Sequence, residues 1–460
     1  MEKLNVCLVN DSFPPDIDGV ANAVVNYARI INEGRGSAVV VAPANPQADD
    51  SVFPFAVYRY PSLDTTRLIG YRAGMPFSPE IQRQLDGRNF NIIHSHCPIS
   101  STLLSRLLRE RIDAPLIMTY HTKFDIDIAN AISSKLLQDE AKRMLVENIS
   151  ACDEVWTVSC GAGENLRSLG YKGDYVIMPN GVDLPQGRVE DGLIAEACRG
   201  YDLPETVPLF LFVGRMMWYK GIRIILDALK ELSDSGRDFR MVFVGGGADR
   251  DEIVDYSASL GLDGRVFFSP AIHDRNLIRA WYCRADLFLF PSTFDTNGLV
   301  VREAAACALA SVLVRGSCAA EDVDDGETGF LIEENSASMA EKLETLCRCP
   351  NTVKRVGLQA QQRLYISWEA AVDKACCRYE TVLENYRRGL YSQHERLSDD
   401  FIRAMSKSME SWDELAEKQR SKMLELRQEY RELKEEMKEE MNSTRQRLKE
   451  SIAQYFERFM

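Results

Sequence analysis

The chain has 460 residues, 45% hydrophobic and 27% charged, with 55 Lys and Arg against 69 Asp and Glu for a net charge of −14. That length allows two or three domains with sizeable cores. The acidic balance argues against nucleic acid as a partner and against broad attraction to an anionic membrane, leaving room only for peripheral contact through a local patch, and the longest apolar run, Ala304–Val314, is too short to span a bilayer.

The N-terminal stretch enters an apolar strand at once and lacks the core and cleavage site of a secretory signal, so a cytoplasmic location is expected. The twelve cysteines are scattered and expected to be reduced. Cys347/Cys349 and Cys376/Cys377 match no zinc spacing.

In chain order, Leu4–Asn10 reads as a strand, Asp11–Gly19 as a loop and Val20–Ile31 as a helix. Strands are expected at Ser37–Ala44, Phe90–His96, Pro115–His121 and Glu154–Ser159. Helices are expected at Ser101–Ile112 and from about Asn130 to Ser150. Near-continuous apolar strands alternating with amphipathic helices predict a parallel sheet covered on both faces. A Gly- and Pro-bearing linker (Asn180–Gly187, Tyr201–Pro208) precedes a second alternating series, with strands at Pro208–Gly214, Arg240–Gly247 and Asp286–Ser292 and a helix over Gly221–Gly236. The fold class is therefore α/β, with two doubly wound Rossmann-like domains (1–198 and 199–366) facing a cleft. Residues 391–460 form a third, helical segment. Over 401–460 Gly and Pro are absent, and apolar residues such as Met405, Met409, Trp412, Met423 and Leu426 recur in steps of three, four or seven. A coiled-coil seam and homo-oligomerisation through 401–460 are expected, with a membrane-surface helix as the alternative.

Four loops carry chemistry. In Pro291–Gly298, a strand runs into a helix that starts near Leu299 and is expected to reach Leu309. Backbone N–H groups at that start suit an anion, and Asp295 and Glu303 bracket the turn eight positions apart. One carboxylate could hold sugar hydroxyls and the other a ribose; alternatively, Asp295 is a cap and Glu303 a solvated helix residue. In the second loop, Arg215 and Lys220 stand at a strand end, where two cations suit a diphosphate. At an effective dielectric of about 20 and a separation of about 4 Å, each pair attracts by roughly 4 kcal/mol before desolvation. Two ordinary exposed basic residues are the alternative. The third loop offers Gly19 for close approach of a phosphate, without a GxGxxG pattern, and Gly245–Gly247 is a turn that could line the same cleft. The fourth pairs His94 and His96 with His121, all at strand ends; His-x-His without a third ligand is thin evidence for metal. His121, followed by Thr122, Lys123 and Asp125, is the stronger functional candidate.

Together these residues resemble the family-4 retaining glycosyltransferases of the GT-B fold. Asp295 and Glu303 match the spacing of the family's Glu-x7-Glu. Gly214-Arg215…Lys220-Gly221 matches G-R-x4-K-G, Asn180–Asp183 matches N-G-V-D, and Asp324–Ile332 also fits. The resemblance implies that Arg215 and Lys220 bind the donor diphosphate and that Glu303 holds the ribose. It places Asp295, Thr296 and the amides of Asn297, Gly298 and Leu299 at the hexose and phosphate, Gly19 near the phosphate, and His121 beside the reacting centre. His96, Lys123 and Asp125 become acceptor-side candidates. The segment near Ser367–Arg388 should cross back onto the first domain. The donor is expected to be a UDP-sugar ahead of a GDP-sugar, with glucose or mannose as the hexose, no cofactor and no required metal. Asp295 is one methylene shorter than the family's usual Glu, and Asp18-Gly19 replaces the frequent Gly-Gly.

Within the family, His94–Ser100, Thr119–Asp125 and Gly70–Pro79 are similar to bacterial diacylglycerol glucosyltransferases and phosphatidylinositol mannosyltransferases. That implies a lipid acceptor such as diacylglycerol, reached from the inner face of the plasma membrane. A soluble sugar or growing polysaccharide is the alternative acceptor. A degenerate enzyme acting as a scaffold through its tail is the alternative of another class.

Overall fold

The structure, a computed structural model, describes residues 3–16, 18–66 and 72–391 and single helical positions between Ile402 and Glu435. The chain divides into two compact units, Met1–Pro76 with Gln84–Glu395, and Phe77–Arg83 with Arg396–Met460. Both large sheets belong to the first. The coiled-coil seam expected over 401–460 lies outside the described residues except at Met423, an exposed helical position.

The strands are β1 (Leu4–Val9), β2 (Gly36–Pro43), β3 (Val57–Tyr60), β4 (Ser62–Leu63), β5 (Ala73–Gly74), β6 (Ile92–Ser95), β7 (Leu116–Tyr120), β8 (Glu154–Thr157) and β9 (Val176–Ile177), then β10 (Leu209–Val213), β11 (Arg240–Val244), β12 (Val266–Ser269), β13 (Leu287–Phe290), β14 (Ser311–Val314) and β15 (Phe330–Ile332). The helices are α1 (Gly19–Ile30), α2 (Pro79–Leu85), α3 (Ser100–Arg111), α4 (Phe124–Ala131), α5 (Lys135–Ser150), α6 (Cys160–Ser168) and α7 (Asp191–Ala197), then α8 (Ile222–Asp234), α9 (Arg250–Ser259), α10 (Arg275–Arg284), α11 (Leu299–Ala306), α12 (Ser336–Cys347), α13 (Pro350–Arg363) and α14 (Trp368–Arg387).

The first lobe has a parallel sheet in the order β3-β2-β1-β6-β7-β8-β9, and the second a parallel sheet in the order β12-β11-β10-β13-β14-β15. Strands such as β7 and β10 are buried at every residue, which explains their unbroken apolar sequence. The strand order reverses between β1 and β6 in one sheet and between β10 and β13 in the other. Crevices therefore open at the carboxyl ends of those four strands, where Asn10, His96, Arg215 and Pro291 leave the sheets.

Three elements differ from expectation. The single helix expected from Asn130 to Ser150 is two, α4 and α5, separated by extended Ile132 and Ser134. The helix after Gly298 stops at Ala306 rather than Leu309 because Ala308 takes a positive φ of 57°. The linker contains a short helix of its own, α7.

The helix α14 begins where Ser367 Oγ accepts from the Ala370 amide. It packs into the core of the first lobe through Trp368, Val372, Ala375, Tyr379 and Val382. Each large apolar side chain buried there contributes roughly 1.5–3 kcal/mol. The two connections between lobes run side by side: the Val182 amide donates to Ile366 O at 3.0 Å, and a Cβ on Gly181 would lie 2.5 Å from the Trp368 backbone. Asp183, on the same segment, accepts from Asn22 and Asn26 of α1 at 2.9 and 3.2 Å.

Candidate active site

The donor-side loops are shaped by close backbone approach. Gly221 has φ 76°, and a Cβ there would meet Pro291 O at 2.4 Å. Only glycine permits that contact, which sets the loop after β10 against the loop after β13. Lys220 consequently reaches Asp295, with Nζ 2.6 Å from Oδ1, while Ser292 Oγ donates to Oδ2 at 2.6 Å. Lys220 is buried among the rings of Tyr219, Phe290 and Phe294. Gly245 and Gly247 lie against Gly214 O and Met216 O in the same way, and the Met216 amide donates to Gly246 O at 2.8 Å. That shelf presents Arg215, which is exposed, at the mouth of the crevice.

Gly298 caps α11 in the left-handed conformation (φ 55°), and a Cβ there would come within 2.9 Å of Ala319. Gly298, and not Asp295, therefore starts the helix. Asn297 is buried, and its Nδ2 has no partner among the described residues. Glu303 is not a solvated helix residue: it is 8% exposed, accepts from Arg275 Nη2 at 2.6 Å and from Tyr282 OH at 3.0 Å, and so faces α10. Burial and Glu303 push the Tyr282 phenol well above its ordinary range. Arg275 also approaches Asp183 at 3.7 Å. Arg275 and Tyr282 escaped sequence reading because nothing in a helix pattern marks which of its polar residues turns toward another helix.

On the facing lobe, His94 lies within β6, His96 follows it and His121 follows β7. His94 is a packing residue, satisfied by Tyr379 OH at 2.6 Å and Thr119 Oγ1 at 2.7 Å. His121 Nε2 lies 3.1 Å from His96 Nδ1, with the rings stacked. The Asn180 amide nitrogen faces His121 Nδ1 at 3.5 Å. With that donor in place, Nδ1 accepts, and the proton on Nε2 goes to His96 Nδ1. His96 Nε2 then carries a proton with no partner among the described residues, and the buried acceptors Asn10 Oδ1 and Asp11 Oδ2 at the end of β1 likewise lack a partner there. Burial lowers the His121 pKa to about 3 and holds His94 and His96 well below the ordinary histidine range, so all are neutral at pH 7.

The lobes touch through Thr296 and Lys123, named above, and through residues that were not. Thr296 Oγ1 donates to His121 O at 2.8 Å, Ser159 Oγ donates to Thr296 O, and Lys123 Nζ donates to Thr293 O at 3.3 Å. Glu321 of the second lobe accepts from the Cys160 amide at 2.7 Å and from the Gly161 amide, capping α6 of the first. Two candidates are engaged elsewhere. Asp125 accepts from Asn165 Nδ2 at 3.2 Å and lines a groove of about 500 Å³ with Lys142 and Arg143. Gly19 opens α1, but the neighbouring Asp18 carboxylate already accepts from the Val20 and Ala21 amides at 2.8 and 2.7 Å.

This site sits in a chain that two family models match in succession: Glycosyltransferase Family 4 over residues 17–186 and Glycosyl transferases group 1 over residues 196–363. Similar proteins include the D-inositol 3-phosphate glycosyltransferases of Nocardia farcinica (29% identical, covering 69% of this chain and 72% of that one) and Rhodococcus jostii (27%, 65% and 68%). Among solved structures, Anabaena HepE, determined with UDP, is similar at TM-score 0.66 and 18% identity over 82% of this chain and all of its own. Sucrose-phosphate synthase from Thermosynechococcus elongatus is similar at TM-score 0.64 and 18% identity, over 83% and 100%. Those likenesses show the GT-B fold, and the family models, spanning both lobes and the loops described above, show the activity class: the chain belongs to the family-4, group 1 glycosyltransferases, enzymes that transfer a sugar from a nucleotide-sugar donor.

Proposed function

We propose that the protein transfers a hexose from a UDP-sugar to a hydroxyl of a membrane lipid such as diacylglycerol, with retention at the anomeric carbon. The observation that carries this reading is the contact of Thr296 with His121 O, which brings the Lys220–Asp295 loop and the histidine pair to one crevice. Arg215, Lys220 and the amides opening α11 would take the diphosphate. Preorganised cations and dipoles stabilise a leaving group's developing charge without reorganising. Lys220 would exchange part of its pairing with Asp295 for phosphate, freeing Asp295 for the hexose hydroxyls, and Glu303 would hold the ribose from its Arg275–Tyr282 clamp. These charges support a diphosphate held by protein cations, with no metal required. The partnerless polar atoms of Asn10, Asp11 and His96 suit a hydroxyl-bearing ligand, since buried polar atoms are normally paired. HepE, solved with UDP, supports the uridine donor.

A lipid acceptor is supported by α5, which exposes Leu136, Leu137 and Met144 beside the groove of Lys142 and Arg143. Exposed apolar side chains flanked by cations suit a bilayer surface. Among the described residues, no helix is long and apolar enough to cross one. A soluble polyol phosphate is the second reading, favoured by the names of the curated relatives. The test incubates the full chain, in chelator, with UDP- and GDP-hexoses against diacylglycerol vesicles, inositol phosphate and free sugars, and identifies products by mass spectrometry. A UDP-dependent hexosyl-lipid is expected. Transfer to inositol phosphate alone would replace the lipid with the second reading, and activity only with added metal would overturn the charge assignment.

A further inference from the structure

Asp183 stands where three parts of the chain meet. It ends the Asn180–Asp183 segment, which the Val182–Ile366 hydrogen bond and the close pass of Gly181 against Trp368 fix in place. Its carboxylate is divided between the lobes. Oδ2 accepts from Asn22 Nδ2 and Oδ1 from Asn26 Nδ2, at 2.9 and 3.2 Å, both on α1. Oδ2 also faces Arg275 Nη2 of the second lobe at 3.7 Å. The same Nη2 donates to Glu303 Oε1 at 2.6 Å. One guanidinium nitrogen thus lies between two carboxylates, one from each lobe. Arg275 and Tyr282 are seven positions apart on α10, close to two helical turns, so both reach Glu303 from one face. The asparagine amides of α1 need only an acceptor oxygen, and Arg275 is already paired with Glu303, so neither requires a second negative charge at position 183.

We infer that Asp183 is a positioning residue for the donor, through which the first lobe completes a ribose site otherwise built from the second. The inference rests on the reading of Glu303 as the ribose carboxylate. A ribose diol donates two hydrogen bonds, and a carboxylate accepts them best while it keeps its charge. Glu303 accepts one bond on each oxygen, from Arg275 and Tyr282, which leaves a lone pair on each for the diol. With Glu303 as its only partner, the guanidinium would settle fully on that carboxylate and weaken it as an acceptor. Asp183 takes a share of the cation, so Glu303 keeps charge for the ribose. Asn22 and Asn26 hold Asp183 at the distance that sets the share. Asp183 touches neither sugar nor phosphate in this scheme; it acts through Arg275. The Arg275 and Asp183 side chains are 44% and 33% exposed, so the effect is modest and is screened by salt.

The test measures by calorimetry how much affinity the full chain gains from the ribose hydroxyls, using UDP and GDP and their 2′,3′-dideoxy forms. The parent should bind the dideoxy form of its nucleotide about 10–100-fold more weakly, the range for hydrogen bonds to a charged group. Asp183→Asn keeps an acceptor oxygen for α1 but loses the charge. In that protein the factor should shrink about fivefold at low salt, and less at about 0.5 M salt, while affinity for the dideoxy form stays near that of the parent. A general loosening of the fold would weaken both forms alike and leave the factor intact. Asn22→Ala loosens Asp183 without touching Arg275 and should shrink the factor about twofold; it decides the matter if Asp183→Asn fails to fold. A parent that binds no nucleotide, or binds both forms equally, overturns the ribose reading and the inference with it. A clear factor in the parent that survives unchanged in Asp183→Asn overturns the inference alone.

Discussion

Lys220 combines a buried cation, a carboxylate partner and an aromatic surround, and each constrains what its removal does. Lys220→Ala deletes a charge placed for the leaving diphosphate, so kcat should fall by about 10²–10³, as for a lost oxyanion donor; near wild-type turnover by folded protein would refute the role. The partner behaves differently. Asp295→Ala leaves the Lys220 cation buried and unpaired, so its stability loss should approach about 3 kcal/mol, read from the denaturant midpoint. The histidines make a pH prediction with a definite sign. In the unfolded chain, His94, His96 and His121 take up protons near pH 6.5; in the fold, burial depresses all three, His121 to about 3. Stability is therefore complete above about pH 6.5 and falls as the pH drops toward the folded values, by about 1.4 kcal/mol per unit for each histidine. Denaturation midpoints between pH 7.5 and 5 should show this slope, and His121→Asn should reduce it. A flat wild-type profile would contradict the buried neutral assignment.

At the scale of elements, the donor site is a matter of how closely two loops approach. Gly221 and Gly298 each combine a positive φ with a neighbour that leaves no room for a Cβ. Gly221→Ala should cost more than about 1 kcal/mol through conformation alone, and the clash with Pro291 O adds to it. Because that contact sets Lys220 beside Asp295, donor affinity should weaken together with stability. A Gly221→Ala protein with unchanged thermal midpoint and donor KM would show that the contact does not position the loop. The break between α4 and α5 shows where periodicity misleads: the helical spacing continues through 130–150, yet Ile132–Ser134 run extended.

For the whole molecule, two close connections, 180–183 and 366–368, join the lobes, and contacts of Thr296, Lys123 and Glu321 hold them elsewhere. Glu321 sets a carboxylate on two helix-terminal amides. Glu321→Ala should loosen the closed arrangement, so that small-angle scattering gives a larger radius of gyration without donor and a larger contraction on adding UDP. Identical scattering for variant and parent, with and without UDP, would show that the cap does not govern closure.

With the family resemblance pointing to the returning helix, the amino-acid sequence by itself determined the α/β class, the strands that flank the crevice and the chemistry-bearing loops. These follow from local pattern: unbroken apolar runs make buried parallel strands, and Gly beside Arg, Lys or Asp at a strand end marks a loop that approaches a ligand. The family motifs extended that reading to Arg215, Lys220, Asp295 and Glu303. Only the tertiary structure decided which groups these residues meet. Lys220 meets Asp295 across 75 positions, Thr296 meets His121 across 175, and Glu321 meets Cys160 across 161. The Arg275–Tyr282 clamp and the His96–His121 pair are of the same kind. Periodicity reports which face of an element is buried, but the partner on that face is set by how sheets, helices and lobes pack, and that packing places side chains together without regard to their separation along the chain.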